Sequence, residues 1–266
     1  MEEIKAYVAN KKAMLKEDFL SVTKKPCLAI VQVNEDPGSC AYIRGKLKDL
    51  NEIGLPSKLI KLDITTTQNE LLKVVNDLNN DESVTGFIVQ MPLPKQIDEE
   101  LVKISVTPKK DVDGFNPLST FSPATPKGIV TYLRDNGFVF KGKNAVIIGR
   151  SNIVGKPMHN LLLDESMNVI NLHSKTTKED MKFYIEHADL IVVAVGKPHF
   201  LTNEYNFKKD CIVVDVGINR GEDGHLIGDC VPDLKVKFQT PVPGGVGLLT
   251  RLALLLNLEE AYKNGI

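Results

Sequence analysis

The chain has 266 residues, 42% hydrophobic and 25% charged, with a formal net charge of −1. This composition suits a soluble globular protein with one large or two modest cores, and the near-zero charge excludes broad capture of nucleic acid or of an anionic membrane. No apolar run approaches the ~20 residues of a bilayer span. The opening Met1-Glu2-Glu3-Ile4-Lys5 lacks a secretory signature. Cys27, Cys40, Cys211 and Cys230 are scattered, matching neither a zinc site nor a disulfide scaffold; reduced thiols in the cytoplasm are expected.

In chain order, Cys27–Val31 reads as a short buried strand. The turn-rich 34–38 leads to Ser39, expected to cap a helix reaching about Ile53 and stopped by Gly54. Leu59–Ile64 reads as a strand. Thr67 and Glu70 have capping-box spacing ahead of Leu71, Leu72, Val75 and Leu78. Phe87-Ile88-Val89 is the next strand, and the prolines of Gln90-Met91-Pro92-Leu93-Pro94 end it. A second set follows. Thr125 and Pro126 start a helix that Gly137 stops. Asn144–Ile148 is a strand, Lys156–Leu163 a helix and Val169–Leu172 a strand. Thr177 opens a helix to about Glu186, and Leu190–Val195 and Ile212–Val216 are strands. A last helix starts near Val246. This βαβαβ order predicts two α/β domains, the second a Rossmann-like doubly wound parallel sheet. The expected bounds are 1–119 and 120–245, with the helix 246–266 returning to the first domain.

Gly149-Arg150-Ser151-Asn152-Ile153-Val154-Gly155 lies between a strand and a helix, where a bare backbone and a helix N-terminus attract a pyrophosphate. It is not G-x-G-x-x-G, and an ordinary tight turn would read the same. About 20 residues on, His173-Ser174-Lys175-Thr176 carries no carboxylate for a ribose diol. With Arg150, it offers hydroxyls and cations suited to a 2′-phosphate. Tyr42 and Lys46 share a helix face. A lysine dried by such packing can titrate near neutrality, although spacing alone favours a routine surface pair. Gln90 lies at a strand's carboxyl end, the ligand edge of open α/β sheets. Asp111 and Asp113 flank Val112, so one side chain can reach a site while the other is structural. No third ligand lies nearby, which argues against a metal. Thr240–Gly247 combines stiff prolines with bare glycines.

In family order, these segments resemble the bifunctional methylenetetrahydrofolate dehydrogenase/methenyltetrahydrofolate cyclohydrolase family. The matching pieces are Ser39–Lys46, Val89–Pro94, Lys110–Gly114, Gly149–Pro157, His173-Ser174, Asp215–Asn219 and Thr240–Gly247, which span nearly the whole chain. The resemblance implies an active-site cleft between the domains. It implies oxidation of 5,10-methylenetetrahydrofolate with NADP and hydrolysis of the methenyl product to 10-formyltetrahydrofolate, a one-carbon supply used in purine biosynthesis. By carry-over, Lys46 is the acid–base group, Tyr42 lines the folate and Gln90 tunes the lysine. Asp113 anchors the pterin. Val89, Met91, Pro241, Pro243, Gly244, Gly245, Val246 and Gly247 also contact folate. Gly149, Arg150, Ser151, Ser174 and Ile218 contact NADP. A cytoplasmic homodimer is implied, with tetrahydrofolate derivatives as its small-molecule partners and no nucleic-acid or membrane partner.

Two motifs depart from the family. Pro123-Ala124-Thr125-Pro126 stands where a cysteine is usual at the second place, and Gly247-Leu248-Leu249-Thr250 stands for Gly-Pro-Met-Thr. The ligase domain of some larger relatives is not expected in 266 residues. Three alternatives share part of this pattern. Short-chain dehydrogenases also use Tyr-x-x-x-Lys, but there the pair follows the glycine loop, and here it precedes it. The others are retention of a single activity, and a non-catalytic NADP- or folate-binding regulator.

Overall fold

The computed structural model describes residues 1–221 and 224–266. The chain divides into two compact units. One holds Ala9–Ala124 with Arg251–Ile266, and the other Met1–Val8 with Thr125–Thr250.

The first of these is built on a three-stranded sheet. Helix α1 (Ile4–Asp18), whose first residues belong to the other unit, was not foreseen, although its buried Ile4, Tyr7, Val8 and Leu15 follow helical spacing. Strand β1 (Leu28–Gln32) leads to α2 (Pro37–Glu52). Ser39 is not the cap of α2: Asp36 is, accepting the Ser39 N–H at 2.8 Å, with Pro37 in the first turn. Proline's fixed φ and missing N–H suit that position, so the helix starts earlier than the serine would set it. The Ser39 hydroxyl instead donates to the Met91 carbonyl at 3.1 Å.

Strand β2 (Ser57–Lys61) begins and ends earlier than expected, because parallel pairing with β1 runs from Leu28↔Ser57 to Gln32↔Lys61. Helix α3 (Gln68–Asn80) opens with the expected Thr67/Glu70 capping box, a feature worth about 1 kcal/mol. Strand β3 (Gly86–Val89) and helix α4 (Glu99–Ser105), capped by Asp98, follow. The sheet order is β2-β1-β3, all parallel. Ala29, Val31, Phe87 and Val89 pack with Leu71, Val75 and Val102 from α3 and α4.

The second unit begins with α5 (Ala124–Asp135) and β4 (Asn144–Ile148), then α6 (Gly155–Asp164), β5 (Asn168–Leu172) and α7 (Lys178–Glu186). Strands β6 (Leu190–Val193) and β7 (Ile212–Asp215) follow, then the small hairpin β8 (Asn219–Arg220) and β9 (Leu226–Ile227). Strand β10 (Phe238–Gln239) completes a parallel five-stranded sheet of order β10-β7-β6-β4-β5. Successive side chains serve two cores: Ala145, Ile147, Leu190 and Val192 face one, and Val146, Ile148, Ile191 and Val193 the other. That explains the unbroken apolar runs, since a parallel strand covered on both faces has no polar side.

Helix α8 (Val246–Lys263) ends the architecture. Leu252, Ala253, Leu254, Leu255, Leu258 and Ala261 are all buried, as in a helix covered on nearly every side. All four cysteines are free, and burial raises the thiols of Cys27, Cys211 and Cys230, making them packing groups. Among the described residues, no helix is long and apolar enough to cross a membrane.

Candidate functional site

Each sheet has a strand where chain direction divides: β1 lies between β2 and β3, and β4 between β5 and β6. At such a switch point the following loops leave on opposite sides and open a crevice at the carboxyl edge. Lys46 meets Gln90 at the first of these edges, and the loop from Gly149 leaves the second.

In the three-stranded unit, Lys46 rides on α2 and is only 7% exposed. Its Nζ donates to Gln90 Oε1 at 3.0 Å, just beyond the end of β3. Gln90 is itself held: its backbone N–H donates to Val31 O at 2.9 Å, and Nε2 donates to Met91 O at 2.9 Å. This leaves Oε1 aimed at the amine. Burial against a neutral amide pushes the Lys46 pKa down. The Asp113 charge opposes that shift and the Arg251 charge adds to it. Burial raises Asp113 in turn, with Lys46 opposing. Both groups are therefore biased toward their neutral forms, a pair suited to passing protons. Tyr42, one turn before Lys46, is half-buried, and its phenol is raised by burial. Val89 is buried in the sheet, while Met91 is half-buried.

The two carboxylates beside Val112 part as expected. Asp111 accepts the N–H groups of Gly114 at 3.2 Å and Asn116 at 2.7 Å, tying its own loop, and burial pushes its carboxyl up to about 6. Asp113 is the one coupled to Lys46. Asn257 from α8, fully buried, donates to Val112 O at 2.8 Å and Ser122 O at 3.0 Å, and so pins the loop on either side of Asp113. Sequence reasoning missed Asn257, and it missed Arg251. The Arg251 Nε lies 3.0 Å from Asp49 Oδ2 as an ion pair. One local signal pointed there: Gly45 sits inside a helix, where glycine costs about 1 kcal/mol against alanine, so something had to approach that backbone closely.

In the five-stranded unit, Gly149 ends β4 with φ 129°, and a Cβ there would lie 2.3 Å from Ala194 O. A Cβ on Gly155 would lie 2.5 Å from Gly149 O. Both glycines are thus demanded by the loop's tightness. The Ser151 hydroxyl accepts the N–H groups of Val154 and Gly155, at 3.2 and 3.3 Å, so it shapes the start of α6. Asn171 on β5 donates to Gly149 O at 3.1 Å and meets His159 of α6 at 2.6 Å, a brace with no sequence signal. Arg150, Ser174 and Lys175 are exposed, and Ile218 after β7 is 49% exposed. A tight glycine cradle, a helix start, exposed cations and a solvent-facing apolar side chain together fit a dinucleotide bearing a 2′-phosphate.

The neighbouring loops are organised by two buried acids. Asp229, fully buried, accepts the N–H groups of Val195, Gly196 and Lys197 at 2.7–2.9 Å, and Asn219 Nδ2 at 2.9 Å. Asp215 accepts those of Gly217, Asp229 and Cys230. The Thr240 hydroxyl accepts the Asp215 N–H at 2.8 Å and anchors the segment that follows. There Pro241 and Pro243 are exposed, and Val242–Pro243 is cis. Gly244 has φ 95°, Gly245 is packed against Pro241 O, and Val246 and Gly247 begin α8.

The chain matches the family described as tetrahydrofolate dehydrogenase/cyclohydrolase, by its catalytic domain over residues 1–113 and its NAD(P)-binding domain over residues 123–265. A "Bifunctional protein FolD" of Campylobacter concisus is 49% identical over 245 residues, covering 88% of this chain and 85% of the relative. The solved structure of the bifunctional methylenetetrahydrofolate dehydrogenase/cyclohydrolase FolD from Campylobacter jejuni is 41% identical. It superposes with a TM-score of 0.94, covering 99% of this chain and 98% of that one. The Trypanosoma brucei dehydrogenase–cyclohydrolase, solved with NADP and an inhibitor, is 28% identical with a TM-score of 0.92, covering 100% and 97%.

Proposed function

The chain belongs to the tetrahydrofolate dehydrogenase/cyclohydrolase family, and from that premise we propose that it is a bifunctional one-carbon enzyme using NADP. It oxidises 5,10-methylenetetrahydrofolate to 5,10-methenyltetrahydrofolate and hydrolyses that cation to 10-formyltetrahydrofolate. Bound NADP supplies the hydride acceptor of the first step.

The observation that carries this reading is the buried Lys46 amine resting on the Gln90 amide and coupled to Asp113. An amine held toward its neutral form accepts a proton from water as the water adds to the methenyl carbon, then hands one to the departing ring nitrogen. Gln90 orients the amine. Tyr42 packs beside the pterin and Asp113 takes its polar edge, with Val89 and Met91 shaping the floor. Gly149 and Ser151 form the pyrophosphate cradle. Arg150 and Ser174 meet the 2′-phosphate, and Ile218 packs on the cofactor. The enzyme works as a cytoplasmic homodimer that supplies one-carbon units to purine biosynthesis.

The test mixes purified protein with 5,10-methylenetetrahydrofolate and NADP, and follows reduced cofactor and methenyl absorbance separately. Reduced cofactor should accumulate while the methenyl signal rises and decays. No reduced cofactor would remove the first activity. A methenyl signal decaying no faster than without enzyme would remove the second. An equal kcat/KM with NAD would remove the cofactor preference.

A further inference from the structure

The face of α2 beneath Lys46 carries two features that its proton chemistry does not explain. Gly45 precedes the lysine inside the helix, and Asp49 is a buried carboxylate one turn later. Arg251 from α8 accounts for both. A Cβ on Gly45 would lie 1.9 Å from Arg251 Nη1 and 3.0 Å from its Cζ, so the glycine is the space in which the guanidinium lies against the helix backbone. Asp49 supplies its counter-charge: Oδ2 lies 3.0 Å from Nε, an ion pair without hydrogen-bond geometry. The other Asp49 oxygen takes Lys12 Nζ of α1 at 3.0 Å, and Lys12 also binds Glu52. An arginine suits this place: it stays charged when desolvated, and its planar group fits a narrow gap where an ammonium would not.

We propose that Arg251 is a positioning residue for proton transfer, a cation pinned on α2 by Gly45 and Asp49 that sets the charge state of Lys46. The inference rests on the reading of Lys46 as the proton-transfer group of the hydrolytic step. The charged and titratable groups facing Lys46 come from three places. Asp113, in the loop between α4 and α5, favours the ammonium, and Arg251 from α8 disfavours it. Tyr42, on α2 itself, is drawn toward its ionised form by the same arginine. Gln90 is neutral, and Asp49, Glu52 and Lys12 form the ionic setting of Arg251. The arginine and the aspartate thus pull Lys46 in opposite directions. Removing the arginine leaves Asp113 unopposed.

The experiment compares Arg251→Met, Arg251→Lys and Asp49→Asn in the full chain, with circular dichroism to confirm folding. Two readouts are taken: the pH dependence of cyclohydrolase kcat, and the titration of the Lys46 signal by NMR in ¹³C-lysine protein, assigned by its absence in Lys46→Met. Arg251→Met should raise the Lys46 midpoint by roughly one pH unit. Arg251→Lys, whose ammonium does not fit the gap, should restore only part of the shift. Asp49→Asn, which keeps the cation and removes its counter-charge, should move the midpoint down. A role confined to stability predicts no such opposed pair of shifts. A folded Arg251→Met with an unmoved NMR midpoint overturns the proposal. So does an unmoved or raised midpoint in Asp49→Asn, which serves if the methionine variant does not fold. A shifted NMR midpoint with an unchanged kinetic profile supports the electrostatic assignment and removes the hydrolytic role of Lys46 instead.

Discussion

Two parallel sheets open a crevice at the same topological place and equip it in opposite ways. At the edge of β1 and β3, side chains do the work: a buried amine, an amide oriented by two further hydrogen bonds, and a carboxylate on a pinned loop. At the edge of β4 and β6, the working surface is mostly backbone. Gly149 and Gly155 leave no room for a Cβ, which would lie within 3 Å of neighbouring backbone, while the charged side chains stay exposed. The chemistry of the two proposed ligands explains the contrast. Moving a proton near neutrality needs titratable groups shifted by burial. Holding a pyrophosphate needs close approach of main-chain dipoles, and burying its cationic partners would add a desolvation penalty with no gain.

The sharpest way to break this comparison is Lys46→Met. Cyclohydrolase kcat should fall by roughly 10²–10⁴-fold, the range for a lost acid–base group, while NADP affinity is kept. Stability also carries a sign. The Lys46 pKa is lower folded than unfolded, so between those two values the unfolded chain binds more protons and stability rises with pH. The methionine variant lacks that term. It should melt no lower than wild type at pH 7, and wild type should gain on it as pH rises toward 9. Thermal melts at the two pH values check this, and a variant that loses ground at pH 7 contradicts the buried-amine account.

Gly149→Ala comes next, because its Cβ meets Ala194 O and its φ of 129° suits only glycine. Strain of about 1–3 kcal/mol is expected. The KM for NADP should rise by roughly tenfold or more, with cyclohydrolase kcat on supplied methenyltetrahydrofolate kept within about twofold. Parallel loss of both activities in a folded variant would mean that the two edges are not independent. The smallest expected effect belongs to Arg150→Ala. A charge-assisted contact of about 1.5 kcal/mol corresponds to roughly tenfold in KM for NADP, with little change for NAD. Steady-state kinetics with both cofactors would show it, and equal losses for the two would remove Arg150 from the 2′-phosphate.

What was legible in the sequence was local. The Thr67/Glu70 capping box, the limits of β4 and the glycine loop each depend on residues within a few positions, and each formed as expected. The cap of α2 was misplaced because two capping residues, Asp36 and Ser39, stand three apart, and only the proline between them decides. The family resemblance, carried by short ordered motifs, supplied the proposed site residues that spacing alone left as ordinary surface groups. The unforeseen parts are long-range. Nothing around Arg251 announces Asp49, and nothing around Asp229 announces the three N–H groups it gathers more than 30 residues upstream. Such partners meet only when the fold brings them together, and Gly45 was the single local trace that any of them left.

The clamp that Asn257 places on Val112 and Ser122 bears on the order in which the protein is made. The two ends of its bond to Val112 lie 145 residues apart in the chain. At a synthesis rate of about 5–20 residues per second, the loop carrying Asp113 waits roughly seven to thirty seconds for its clamp. The five-stranded sheet is translated in that interval. The unit whose first strands leave the ribosome earliest is therefore the last to be finished, and its Asp113 loop can be clamped only after the glycine loop of the other unit has been translated.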